Sequence, residues 1–63
     1  MYCLANTDYE FYVYGFSTKV KAFIEGNLQT EWNLQFFLTE SELLGAIKSI
    51  KRNENQKIVN LLD

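Results

Sequence analysis

Residues 28–38, LQTEWNLQFFL, alternate in a way few folds can accommodate. Thr30, Trp32, Leu34, Phe36 and Leu38 fall on one side of an extended chain. Gln29, Glu31, Asn33 and Gln35 fall on the other, with Phe37 as the exception. Side chains of a strand point alternately to its two faces, so this spacing predicts a β-strand with one buried face. Such a strand needs partners, and the preceding residues offer two. YEFYVYGF (9–16) sets Tyr9, Phe11 and Val13 against Glu10, Tyr12 and Tyr14. TKVKAFIE (18–25) fits a helical stripe of Val20, Phe23 and Ile24 as well as an alternation of Val20, Ala22 and Ile24. A helix would place Lys19 and Lys21 at its positive end and Glu25 at its negative end, so strand is the expectation. Gly15 followed by Phe16 suits a two-residue hairpin loop. Closing there sets Phe11 opposite Val20, Glu10 opposite Lys21 and Tyr12 opposite Lys19, pairs of favourable chemistry. A two-residue loop at Gly26 and Asn27 would mix the faces, so a longer loop or a bulge is expected over 26–28.

LTESELLGAIKSIKRN carries the clearest helix signal, over 39–52. Thr39 and Glu42 form a capping box, and Leu38 and Leu43 a hydrophobic staple. Glu40 and Glu42 lie at the positive end; Lys48, Lys51 and Arg52 lie at the negative end. Leu43, Leu44, Ile47 and Ile50 make an apolar stripe that should cover the Trp32, Leu34 and Phe36 face of the sheet. Asn53 suits a left-handed C-terminal position. The segment 54–62 fits a short helix, with Asn53 and Gln56 as its cap, slightly better than a strand. Residues 1–7 read as an extended arm. The expected fold is therefore a single α+β domain: a three-stranded antiparallel meander over 8–38, one helix on one face, and a short C-terminal segment.

Function is constrained mainly by what the chain lacks. With 63 residues there is room for one core, and no His supplies a general base or a metal cage. Cys3 is alone, so it cannot close an internal disulfide and suits a reducing compartment. Glu10 and Glu31 on an open sheet face read as solvated or paired charges; Glu40 and Glu42 are used in capping. No cofactor, metal or catalytic residue is expected, and the chain reads as non-enzymatic. No apolar run is long enough for a membrane span and no signal-peptide pattern occurs, so a cytoplasmic protein without a membrane partner is expected.

With the meander registers, the outer sheet face displays Tyr12, Tyr14, Phe23 and Phe37 beside Lys19 and Lys21. Four exposed rings exceed what a soluble monomer usually shows in one patch. The expectation is a binding protein, an inhibitor, adaptor or regulatory subunit, whose partner is another protein or a second copy of itself. Tiny, acidic, non-catalytic chains are frequent among phage and mobile-element proteins, an analogy of composition only. The alternative is a regulator that stacks single-stranded nucleic acid on the same rings. The net charge of −2 argues against it, because phosphate binding wants surplus positive charge. A second candidate surface is the small-residue side of the helix, Ser41 and Gly45 with Lys48 and Arg52.

Overall fold

The computed structural model describes residues 1–27, 31–51 and 54–63. Its elements run β1 (Tyr2–Asn6), β2 (Phe11–Phe16), α1 (Ser17–Gly26), β3 (Asn33–Phe37), α2 (Glu40–Lys48) and β4 (Lys57–Leu61). The four strands form one mixed sheet in the order β3-β1-β2-β4. β1 is antiparallel to both β2 and β3, and β2 is parallel to β4. The α+β class expected from the sequence is present, but the meander is not.

Residues 18–25 are helical. α1 has no side-chain N-cap, no acidic residue in its first turn and no basic residue in its last. Packing supplies what local chemistry withholds: Val20 is fully buried against Cys3, Ala5 and Val13, with Phe23 and Ile24 beside it. Burying such side chains contributes about 1.5–3 kcal/mol each, whereas an exposed charge at the wrong helix end costs about 0.3–1 kcal/mol. Lys19, Lys21 and Glu25 are exposed, so burial wins. The hairpin at Gly15 and Phe16 is consequently absent; Phe16 is the N-cap residue of α1.

The hairpin that does form joins β1 to β2 through Thr7, Asp8, Tyr9 and Glu10. The Thr7 hydroxyl accepts from the backbone N–H groups of Glu10 (3.1 Å) and Phe11 (3.0 Å). Buried Gln56 donates from its side-chain amide to the carbonyls of Thr7 (2.8 Å) and Asp8 (3.1 Å), which docks the start of β4 onto this turn. Tyr9, expected in the core, is 78% exposed at the loop.

The presumed arm is a central strand. Cys3, Leu4 and Ala5 are all buried, as befits a strand covered on both faces. The C-terminal segment is strand β4 instead of a helix. Gly15 lies inside β2 opposite Leu61, at φ +148°, where a Cβ would collide with the Leu61 backbone. It marks a close approach of two strands and not a turn.

Both crossovers, β2-α1-β3 and β3-α2-β4, join parallel strands but travel in opposite directions across the sheet. Right-handed connections therefore put the two helices on opposite faces. α1 covers the Cys3, Ala5, Val13 face. α2 lies against β1 and β3 on the other, where Leu4 and Leu43 are buried. This corrects the expectation that α2 covers Trp32, Leu34 and Phe36. Its cap is as expected, with the Glu42 N–H donating to the Thr39 hydroxyl at 3.2 Å and that hydroxyl donating to Glu42 Oε1 at 3.0 Å. Leu38 is 76% exposed, so the staple contributes little. The helix ends at Lys48, short of 52, and the expected role of Asn53 falls outside the described residues, as do 28–30 of the predicted strand.

Candidate functional site

The aromatic cluster expected on one face is divided by the fold. Phe23 belongs to α1 and packs into the core, 5.4 Å from Phe11 and 6.3 Å from Trp32 between ring centroids. Trp32 also stacks on Phe11 at 6.0 Å, and its buried indole N–H has no acceptor among the described residues. Tyr12 and Tyr14 do face away from α1, as does Phe37, but β1 separates Phe37 from the two tyrosines. All three are half-buried. Lys19 lies over the Phe16 ring at 5.6 Å, not beside Tyr12, while Lys21 lines a cleft next to β3. Two helical residues, just over half a turn, thus send the two lysines to different surroundings. Ser41, Gly45 and Lys48 are exposed, and a Cβ on Gly45 would touch nothing. Arg52 lies outside the described residues.

A pair of exposed apolar side chains on one face lies elsewhere, on β3. Leu34 is 47% and Phe36 58% exposed, on the same face as Cys3 and Ala5, which they oppose in the ladder. α1 packs over the middle of the sheet and leaves a cleft of about 530 Å³ between itself and this strand. Cys3, Val20, Ile24, Leu34 and Phe36 form its apolar lining, with Lys21 and Glu25 also along it. Burial pushes the Cys3 thiol above its ordinary pKa, opposed by a hydrogen bond from the Gln35 backbone. A neutral thiol at the bottom of the cleft behaves as a small apolar group.

β3 also ends the sheet among the described residues, and the phase of the ladder sets which of its main-chain groups point outward. Thr7 N–H donates to the Phe11 carbonyl and Ser17 N–H to that of Met1, so the odd residues of β1 bond to β2. Antiparallel ladders alternate, so the even residues of β1 bond to β3, at Asn33, Gln35 and Phe37. The N–H and C=O groups of Leu34 and Phe36 therefore point out of the sheet. Natural edges are usually blunted by charge, proline or a bulge. The sequence NLQFF has no charge or proline, and its ladder with β1 is continuous. The other edge differs: β4 begins with Lys57, and beyond its end Leu62 N–H donates to the Asn60 side chain at 2.9 Å.

The alternation over 28–38 located these residues correctly on one face but implied that a helix would cover them. The missed signal was the neutral composition of NLQFF, which is unusual for an edge and ordinary for a strand that is paired. No group of three or more His, Cys, Asp or Glu that could hold a metal ion occurs among the described residues, and no described helix is long and apolar enough to cross a membrane. What the arrangement offers is a backbone edge with no partner strand among the described residues, beside an apolar cleft. Comparison with protein-family models, with curated proteins and with solved structures returns no match.

Proposed function

We propose that this chain is a small non-catalytic protein-binding module of the cytoplasm, an inhibitor, adaptor or regulatory subunit, and that it binds through the β3 edge and the adjoining cleft. The observation that carries this reading is the outward-directed main chain of Leu34 and Phe36 next to their own exposed side chains. A strand added there would gain ladder hydrogen bonds for affinity and an apolar cleft for specificity. The face of Tyr12, Tyr14 and Phe37 has less support, because α2 covers part of it and Phe23 is not there. Nucleic-acid stacking loses the juxtaposition of Lys19 and Lys21 that suggested it.

A photo-crosslinking phenylalanine analogue at position 36 tests the site in host cells. The expected result is a discrete protein adduct that is lost when Leu34→Lys is added, with none from the same analogue at exposed Leu44 on α2. Absence of an adduct at position 36 would refute the proposal.

A further inference from the structure

We infer that the occupant of this edge is a second copy of the same chain, a step that rests on reading the β3 edge as a binding surface. Two β3 strands would pair antiparallel about a two-fold axis at Gln35. Leu34 then stands opposite the partner's Phe36, and Phe36 opposite the partner's Leu34. These are the residues whose N–H and C=O groups point outward, so each of the two pairs is a hydrogen-bonded one. Register and hydrogen-bond phase agree without adjustment. A register slipped by one residue, which moves the axis by half a residue, would set inward-directed groups against outward-directed ones and break the ladder.

Charge supplies an independent match. The Ser17 N–H bond to Met1, one residue outside the Tyr2 and Phe37 pair, places the start of α1 at the level of Leu38. From there α1 runs back along the sheet. Four helical residues advance ~6 Å, close to the ~6.7 Å of two strand residues. Lys21 thus stands near the level of Phe36 and Glu25 near that of Leu34, and all four line the cleft. The two-fold axis that sets Phe36 against the partner's Leu34 also turns Lys21 toward the partner's Glu25, and Glu25 toward the partner's Lys21. A copy of this chain brings that pattern by symmetry. An unrelated segment would have to supply it separately. The neutral edge is paired in the same step, uniting the two sheets into one of eight strands with the two apolar clefts side by side.

Light scattering across a concentration series tests this on the full chain. The expected mass is about 15 kDa, twice the 7.4 kDa of one chain. Phe36→Lys should return it to the monomer with an unchanged circular-dichroism spectrum. Lys21→Glu and Glu25→Lys should each weaken the dimer roughly tenfold, and mixing the two variants should restore it as a heterodimer. Both substitutions are at exposed positions, so this arm stands even if Phe36→Lys fails to fold. A wild type that stays at 7.4 kDa at every concentration overturns the second copy. So does a dimer that ignores all three substitutions. A monomer whose position 36 crosslinks to a different protein overturns the second copy and leaves the edge as a binding surface; a monomer without any crosslink overturns both.

Discussion

Gly15→Ala should be among the most damaging single-methyl changes available to this protein. Gly15 sits in β2 with φ at +148°, which an L side chain rarely adopts, and forcing alanine there costs about 1–3 kcal/mol. The new Cβ would also meet the carbonyl carbon and oxygen of Leu61, backbone atoms that cannot rotate away. β4 would have to shift, disturbing the contacts of Val59 and Leu61 with the core, and such overpacking costs about another 1–3 kcal/mol. The sum is about 2–6 kcal/mol. A chain of this length has about 3–9 kcal/mol of total stability, so the variant should be severely weakened or unfolded at 25 °C. Urea titration followed by Trp32 fluorescence and circular dichroism, at one fixed protein concentration, measures the effect. Gly45→Ala is the internal control: it lies in α2, a Cβ there meets nothing, and alanine should stabilise by about 0.5–1 kcal/mol. A Gly15→Ala protein within about 0.5 kcal/mol of wild type would refute the close approach of β2 and β4.

Two further outcomes are expected. Gln56→Ala removes the donor to the Thr7 and Asp8 carbonyls and should cost about 1–3 kcal/mol in the same titration, with β4 amides losing hydrogen-exchange protection before those of β1; uniform loss across the sheet would contradict a local clasp. Cys3 should react with a thiol reagent at pH 8 only as fast as the protein unfolds, and fast labelling of the folded chain would contradict its burial. Because its pKa is raised in the fold, the folded state holds the proton longer than the unfolded chain does. Its contribution is thus complete below the ordinary thiol range and lost as pH rises through it, more steeply in wild type than in Cys3→Ala.

Local chemistry was legible wherever a residue's role depends on its near neighbours in sequence. The Thr39 cap, the acidic first turn of α2, the alternation of Leu34 with Phe36, and the shared side of Phe11 and Val13 all follow from spacing alone. The exposed site was half legible: its residues were on the right face, but the covering helix was assigned to them instead of to Leu4. Residues 18–25 satisfied two periodicities, and their charges favoured the wrong one by less than burial of Val20, Phe23 and Ile24 favours the other. Only the tertiary structure could decide between them, since the surface that buries this stripe is built from β1 and β2. The same holds for Gly15, whose meaning depends on Leu61 approaching from the far end of the chain. Sequence by itself determined which side chains share a face. The order of strands determined which faces are covered, because right-handed crossovers in opposite directions send the two helices to opposite sides, and it made β3 the last strand of the sheet among the described residues.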